Sequence, residues 1–460
     1  MAKLSKRSVI FYCFVFLCLN AIIMLIKDSS FYLKRLTGDA VFVDKKDISQ
    51  NFTLKLKGTQ SENVVQRVPL NFPATDREST ITEKKQSPYK IVLYHFYHTL
   101  LKWKAKSVDM SKCGVYKNCV ISHQNKCSET PVDADIVVFQ GNHMPKDLPR
   151  RSNSDQVFVY ANIESPQYLQ AVNLQNPRLF EFFNWTMSYR FDSDVPYLYG
   201  SVIPKSLSTV KLHTQSEKSG KVINYRDFLN LTTQWPNNHS GIKGKDYDAI
   251  FDQKSKSSVW FVSHCSTASK REKYVLKMQS VTQVDIFGKC SIQENICPKN
   301  KKNCTEHIDH TYKFVFAFEN SLCVDYITEK VFNRYNLDMI TVVQGAHNYS
   351  RYLPKGTYID ANDFATPQEL GEFLNYVGSN REVYTNYLKL KDQYKAIFEN
   401  THVQLAYCTL CYRINNLHKY KKPAVPLRQW WFAGGVCNNP TILDSILKPR
   451  IKVSNVKVPK

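Results

Sequence analysis

Short apolar runs alternate with segments of helical spacing in the second half of the chain. The runs at 259–262 and 284–287 predict strands, and the polar–apolar spacing of 270–280 between them predicts a helix. A unit of this kind pairs its strands in parallel through a right-handed crossover. The pattern then returns as a predicted strand, helix and strand at 314–318, 326–336 and 340–343.

The first half carries similar apolar runs with longer segments between them. Predicted strands lie at 91–94, 134–139 and 157–160, and a polar stretch from about 206 to 256 separates the two halves. Two such halves predict an α/β fold with two Rossmann-like domains facing a cleft, where ligands bind outside the carboxyl ends of the strands. The chain contains no Gly-x-Gly-x-x-Gly fingerprint, so we expect no nicotinamide or flavin cofactor.

The N-terminus has a different pattern. Residues 8–26 form an almost unbroken apolar run, close to the ~20 residues that cross a bilayer. Lys3, Lys6 and Arg7 precede the run, and the two residues after it cancel in charge. The positive-inside rule then leaves the N-terminus in the cytosol and the rest in a lumen. A cleaved signal peptide is the alternative, but its apolar region is usually about 7–15 residues long.

Composition and charge narrow the class of ligand. The chain is 43% hydrophobic and 13% aromatic, as expected of a globular protein, and its formal charge is +22. This charge suits phosphate-bearing ligands and anionic membranes. We do not expect nucleic acid as a partner, because no known binding module occurs and the lysines are scattered.

The cysteines and sequons fit an oxidising lumen. Eleven of the 13 cysteines lie beyond the apolar run, where disulfides persist. Cys408 and Cys411 have metal-like spacing, but no second pair completes a zinc site. The Asn-x-Ser/Thr sequons predict glycosylation at Asn51, Asn184, Asn230, Asn238, Asn303 and Asn348.

The segment 312–364 carries the chemistry. A predicted helix there has Thr328, Glu329 and Lys330 in its first turn. A helix N-terminus with a lysine beside it favours phosphate, and a carboxylate can accept both hydroxyls of a ribose. These residues suit a sugar nucleotide; the alternative is an amphipathic helix whose Glu and Lys are merely solvated.

Several motifs together resemble the α1,3/4-fucosyltransferase family. Tyr-Lys-Phe at 312–314, Phe-Glu-Asn-Ser at 318–321 and Asp-Tyr-Ile-Thr-Glu-Lys at 325–330 match its signature. The resemblance covers roughly residues 90–440. Further matching segments are 164–166, 184–194, 262–264 with Arg271, and 363–364.

The resemblance implies an inverting glycosyltransferase of the GT-B type that uses GDP-fucose. Glu164 would be the general base, Lys330 and Arg271 would neutralise the diphosphate, and Glu329 would hold the ribose. Further residues expected to line the donor site are Tyr326, Asn320, Tyr189 and Arg190. Asp192 and Asp194 suggest a metal site, but family members are metal-independent, so we expect salt-bridge or turn roles for them. We expect no tightly bound cofactor; stimulation by Mn²⁺ stays open.

Two expectations concern disulfides and the acceptor. Cys408 and Cys411 are predicted to bridge to cysteines among Cys113, Cys119 and Cys127; the alternatives are a Cys408–Cys411 bridge or bound zinc. The remaining cysteines and the ending at Trp430, Trp431 and Cys437 resemble the invertebrate and plant core-type branch. We therefore expect transfer to the 3-hydroxyl of GlcNAc in the N-glycan core. Lewis-type antennal fucosylation and a catalytically silent glycan- or nucleotide-binding homologue are the alternatives.

The predicted organisation is that of a single-pass type II Golgi membrane protein with a luminal catalytic part. In chain order we expect a cytoplasmic tail (1–7), a transmembrane signal-anchor (8–26), a luminal stem (27–87), an acceptor-side domain (88–215), an interdomain region or insertion (216–256), a GDP-fucose-binding domain (257–400) and a C-terminal segment packing back on the first domain (401–460).

Overall fold

The computed structural model describes residues 87–94, 105–124, 131–145, 147–168, 179, 181–207, 244–291, 301–345, 348–433 and 437. The predicted membrane segment, nearly all of the stem, Cys127, Asn51, Asn230 and Asn238 lie outside these residues. Within the described ranges, no helix is both long and apolar enough to span a bilayer.

The first half forms a six-stranded parallel sheet with the order β2-β1-β3-β4-β5-β6. Its strands are β1 (Tyr89–Tyr94), β2 (Cys119–Gln124), β3 (Ile136–Gln140), β4 (Val157–Asn162), β5 (Trp185–Ser188) and β6 (Val195–Pro196). Every residue of β3 and β4 is buried, which explains why their sequences read as continuous apolar runs. The strands predicted in this half are confirmed.

The second half forms a five-stranded parallel sheet with the order β12-β11-β10-β8-β9. Its strands are β8 (Lys256–Phe261), β9 (Val284–Phe287), β10 (Tyr312–Phe318), β11 (Ile340–Gln344) and β12 (Tyr358–Asp360). The helices up to β11 are α1 (Tyr247–Gln253), α2 (Arg271–Met278), α3 (Lys301–Thr311) and α4 (Glu329–Tyr335). Both predicted strand–helix–strand units are therefore present, and the expected α/β class is confirmed.

Helix α4 begins later than the sequence pattern predicted. Asp325 takes a left-handed φ of 62°, so the helix does not begin at Tyr326. Thr328 is the N-cap, and its hydroxyl accepts a hydrogen bond from the Lys330 amide. The residues 326–328 thus form a loop at the carboxyl end of β10, and only Glu329 and Lys330 lie in the first helical turn.

The C-terminal part returns to the first half. After α5 (Pro367–Ser379) and α6 (Arg381–Lys391), strand β13 (Tyr394–Phe398) pairs antiparallel with β7 (Gly200–Pro204). Helices α7 (Glu399–Asn415) and α8 (Leu417–Tyr420) follow. One apolar cluster includes Phe158 of the first sheet, Phe332 of α4 and Leu410 of α7. The two halves therefore share a core, and the carboxyl ends of β4 and β10 face a common site.

Four disulfides join described residues. Two of them tie α7 to the first half, Cys113–Cys408 and Cys119–Cys411, so neither a Cys408–Cys411 bridge nor a zinc site forms there. The others are Cys265–Cys290 in the second half and Cys323–Cys437, which links the loop after β10 to the C-terminal segment.

The two sequons with a described asparagine side chain differ in their surroundings. Asn184 is half-buried; its Oδ1 accepts a hydrogen bond from the Phe158 amide at 3.1 Å, and its Nδ2 contacts the Lys422 carbonyl at 3.5 Å. A glycan on that nitrogen would displace the Lys422 contact. Asn348 is exposed and accepts a hydrogen bond from Ser350 N at 3.0 Å through Oδ1, which leaves its Nδ2 available for a glycan. Occupancy at both sites stays a prediction.

Candidate active site

Two loops, one from each half of the chain, meet at Glu164. The Glu164 amide donates to Asn162 Oδ1 at 3.1 Å, which turns the chain directly after β4. The Tyr326 hydroxyl, on the loop after β10, donates to Glu164 Oε2 at 3.1 Å. Beside this contact, Ser165 Oγ donates to Ser321 Oγ at 2.7 Å. The predicted base therefore lies at the carboxyl ends of parallel strands, where α/β sheets bind ligands.

Lys330 is held by a carboxylate that the sequence analysis did not assign. Glu319 directly follows β10 and is fully buried, and its Oε2 lies 3.0 Å from Lys330 Nζ. Its Oε1 accepts hydrogen bonds from the Thr328 amide and hydroxyl, both at 2.8 Å. Burial raises the pKa of Glu319, an effect that the charge of Lys330 opposes. The ammonium group is thus fixed at the start of α4.

The charges around Lys330 keep it cationic. Burial alone acts to lower its pKa, but the carboxylates of Glu319 and Glu329 outweigh that effect and raise the pKa. Glu329 Oε1 lies 3.4 Å from the ammonium, and the Glu329 side chain is 45% exposed. Burial acts to raise the pKa of Glu329, yet Lys330 and nearby hydrogen bonds lower it. Glu329 therefore presents an ionised carboxylate toward solvent, as a ribose ligand requires.

Arg271 also lies at the carboxyl end of β10. It is the first residue of α2, its side chain is buried, and its NH1 donates to the Phe318 carbonyl. Its Nε has no hydrogen-bond partner among the described residues. The guanidinium acts electrostatically on Lys330 and on Glu319. Two cations therefore lie at the end of this strand.

The remaining predicted donor-site residues fall into two groups. Asn320 and Tyr189 are buried beside the loop, and neither Asn320 Oδ1 nor the Tyr189 hydroxyl has a partner in the described part of the chain. The Tyr189 ring packs edge-on against Tyr326, with centroids 5.0 Å apart. Arg190 instead pairs with Asp192 at 2.5 Å and donates to the Trp430 carbonyl at 2.7 Å. A direct contact of Arg190 with the donor stays a prediction.

Asp192 and Asp194 make the structural contacts that we expected. Asp192 takes a bidentate contact from Arg190 and a hydrogen bond from Trp430 Nε1 at 3.1 Å. Asp194 accepts from Lys422 Nζ at 2.7 Å. Across the described ranges, no group of three His, Cys, Asp or Glu side chains is arranged to hold a metal ion.

Asp325 organises the loop that carries Tyr326. It is buried and accepts hydrogen bonds from the Tyr352 hydroxyl and from the Phe191 amide, the latter at 3.0 Å. The Arg351 guanidinium lies 3.6 Å away. The only signal for Asp325 in the sequence is its place in the family motif. No spacing rule relates Asp325 to Tyr352 or Phe191.

The comparisons with known proteins agree with this geometry. A model described as "Fucosyltransferase, N-terminal" matches residues 88–200, and one described as "Glycosyltransferase family 10 (fucosyltransferase) C-term" matches residues 251–430. The chain is 31% identical to alpha-(1,3)-fucosyltransferase C of Drosophila melanogaster over 330 residues, which is 70% of this chain and 71% of that protein.

Two other relatives are similar over comparable lengths. Glycoprotein 3-alpha-L-fucosyltransferase A of Drosophila melanogaster is 29% identical over 77% of this chain and 63% of its own length. Alpha-(1,3)-fucosyltransferase fut-1 of Caenorhabditis elegans is 30% identical over 68% of this chain and 65% of its own length. The match thus spans just under two thirds of these two proteins.

A crystal structure of an alpha1,3-fucosyltransferase with GDP-fucose aligns with 76% of this chain and 95% of its own, at 16% identity and a TM-score of 0.45. The family assignment rests on the sequence matches, which cover both halves of the fold and every motif in the site. The chain therefore belongs to glycosyltransferase family 10 and is an α1,3-fucosyltransferase.

Proposed function

We propose that this enzyme transfers L-fucose from GDP-fucose to the 3-hydroxyl of a GlcNAc in glycoprotein glycans, with inversion at the anomeric carbon. The observation that carries the proposal is the Glu164–Tyr326 contact, because it places a carboxylate of the first half within 3.1 Å of the loop leading to Lys330. A base from the first half and two cations from the second half then belong to one site.

The chemistry follows from these groups. The acceptor oxygen attacks the anomeric carbon of fucose and loses its proton to the Glu164 carboxylate. The bond between that carbon and the β-phosphate oxygen breaks, and its electron pair leaves with GDP. Lys330 and Arg271 stabilise the negative charge that develops on the diphosphate. Tyr326 holds Glu164 in place through its hydroxyl.

The role of Glu164 gives the first prediction. Glu164→Gln should lower the transfer rate by on the order of 10²–10⁴, because the amide cannot accept the proton. GDP-fucose binding should survive, since Gln keeps an oxygen for the Tyr326 hydroxyl. Radiolabelled transfer and calorimetry of GDP-fucose on the full-length chain measure both quantities. Near-normal turnover in the variant would refute the assignment.

The acceptor is proposed as the innermost GlcNAc of N-glycans. Two features support it: the core-type pattern of cysteines, of which Cys265–Cys290 and Cys323–Cys437 are bridged, and a relative named glycoprotein 3-alpha-L-fucosyltransferase. A core N-glycopeptide and a free Gal-GlcNAc disaccharide, offered side by side with GDP-fucose, test it by mass spectrometry. Fucose on the disaccharide alone would favour antennal, Lewis-type modification. Binding of GDP-fucose without any transfer would favour a silent homologue.

No metal is needed for this mechanism, because cationic side chains face the diphosphate. We expect transfer to persist in EDTA, and an absolute requirement for Mn²⁺ would contradict the roles of Lys330 and Arg271.

We also propose that residues 8–26 anchor the enzyme in the Golgi membrane with its catalytic part in the lumen. The apolar run, the basic residues before it and the four disulfides support this topology. Protease treatment of intact microsomes should spare a C-terminal tag until detergent is added. Digestion of the tag without detergent would reverse the orientation.

A further inference from the structure

Two exposed rings from opposite halves of the chain meet beside the site. Tyr168 ends the 3-10 turn Pro166–Tyr168 that follows Glu164, and it is 39% exposed. His264 follows β8 in the second half and is also exposed. Their ring centroids lie 5.9 Å apart, with the planes at 81°. Neither ring belongs to an apolar cluster of the described residues, so core packing does not explain their contact.

The neighbours of this ring pair define its place in the site. On one side, Tyr168 lies four positions after Glu164, at the end of the turn that follows it, and Glu164 is held by the Tyr326 hydroxyl. On the other side, His264 lies in the loop between β8 and helix α2, which begins at Arg271. The ring contact therefore joins the turn that follows the proposed base to the loop that leads to one of the proposed donor-site cations.

We infer that Tyr168 and His264 form a subsite for the acceptor, which packs the C–H face of a pyranose ring against the aromatic pair and aligns its hydroxyl with Glu164. The inference rests on the proposed function. A tyrosine has an apolar ring face and a polar tip, which match the C–H face and the rim hydroxyls of a sugar. Such a contact fixes the orientation of the reacting hydroxyl, a larger contribution to rate than contact area alone.

The guanine ring of the donor is the competing occupant, since it would also stack on aromatic rings. The observations favour the acceptor, because Tyr168 ends the short turn that directly follows Glu164, the residue proposed to act on the acceptor hydroxyl. The cations assigned to the donor, Arg271 and Lys330, instead lie at the starts of α2 and α4 in the second half.

Steady-state kinetics of the full-length enzyme test the subsite, with GDP-fucose and either the core N-glycopeptide or Gal-GlcNAc as probe. Tyr168→Ala and Tyr168→Leu should each raise the KM for the acceptor roughly 3- to 10-fold, as expected for the loss of an aromatic contact. His264→Ala should act in the same direction, and Tyr168→Phe, which keeps the ring face and loses only the hydroxyl, should raise the acceptor KM less than Tyr168→Ala does. The matched control is Tyr376→Ala, which removes an exposed tyrosine of α5 and should change neither KM.

The KM for GDP-fucose separates the outcomes. It should stay within about twofold of the wild type in all these variants. A rise in the donor KM with the acceptor KM unchanged would assign the rings to the guanine and overturn the inference. Equal rises in both, or in neither, would also overturn it. Absence of transfer by the wild type to either probe would instead refute the proposed function, and the sugar subsite with it. Calorimetry of GDP on each variant verifies that the fold is intact.

Discussion

Lys330 and Glu319 form a buried ion pair inside the candidate donor site. The carboxylate is fully buried and the ammonium side chain is 21% exposed, so both groups have lost much of their hydration. A pair of this kind contributes little net stability, yet removal of one partner leaves an uncompensated charge and costs about 3–5 kcal/mol. The pair therefore couples the folding of this loop to Lys330, the cation proposed to stabilise the diphosphate.

A double variant separates the effect of Lys330 on GDP binding from its effect on the stability of the fold. Lys330→Met should lower GDP affinity, because a charge-assisted contact is lost, and should also lower the free energy of unfolding, because Glu319 loses its partner. Adding Glu319→Gln should restore most of the stability and none of the GDP affinity. Calorimetry of GDP and chemical unfolding measure the two effects; Lys389→Met, an exposed lysine of α6, is the control. Recovery of GDP binding in the double variant would show that Lys330 acts only through stability.

The family motif located the residues of this site better than it located their partners. Glu164, Glu329 and Lys330 could be placed from the sequence, since each stands at a fixed position of a motif. Glu319 belonged to the same motif, but its pairing with Lys330 depends on the left-handed turn at Asp325. That turn is maintained by Tyr352 and by the Phe191 amide. Contacts between residues this far apart in sequence leave no local pattern.

At the scale of elements, helix α7 connects the two halves. Its buried residues lie on several faces, and it contacts β6, β7 and β13. His402 on this helix is fully buried and shares a hydrogen bond with Ser201 Oγ of β7 at 3.1 Å. Burial lowers the pKa of His402 to about 3. The imidazole is therefore neutral throughout the pH range of a lumen.

His402 should make the fold sensitive to acid. The unfolded chain binds a proton at His402 below about pH 6.5, whereas the folded chain does so only near pH 3, so stability rises with pH across this window and falls on acidification. Between pH 6.5 and 5 the loss should be about 2 kcal/mol. In His402→Gln this part of the pH dependence should disappear, while His418→Gln, an exposed histidine of α8, should behave like the wild type. Parallel stability curves for wild type and His402→Gln between pH 5 and 7 would contradict this origin.

The strands were predictable where burial is complete on both faces. The runs in β4, β10 and β11 are almost wholly apolar, and all three were placed within a few residues. Strand β13 was missed because it is short, only partly buried, and its partner β7 lies almost two hundred residues earlier in the chain. The predicted start of α4 was wrong because apolar spacing continues through a loop that Asp325 forces out of helical geometry.

At the scale of the whole molecule, two disulfides join α7 to the first half. Cys113–Cys408 and Cys119–Cys411 span 295 and 292 positions of sequence. The sequence indicated two α/β halves from their strand patterns and led us to expect a C-terminal segment packing back on the first domain, but it did not indicate the strand pairing and the apolar cluster through which α7 packs there. That arrangement depends on the β7–β13 pairing and on the shared apolar cluster, both long-range.

The two bridges should stabilise the fold in a strongly non-additive way. When one bridge is already closed, the other closes a loop of only about ten residues, which consists of the stretches 113–119 and 408–411. Loss of a single bridge should therefore cost about 3 kcal/mol in the chain-entropy model. Loss of both frees a loop of nearly three hundred residues as well and should cost about 8 kcal/mol in the same model. The free-energy cost of losing both bridges thus exceeds the sum of the two single losses, because either bridge alone already closes the long loop.

A double-mutant cycle tests this coupling. Cysteine-to-serine pairs at 113/408 and 119/411 are made singly and together, and unfolding in guanidinium without reductant gives the free energies. A third pair at 265/290 is the control: that bridge closes a separate loop in the second half, so its removal should add independently to either of the others. Simple additivity of the 113/408 and 119/411 losses would mean that the bridges act by local packing around α7 rather than by closing the chain between the two halves.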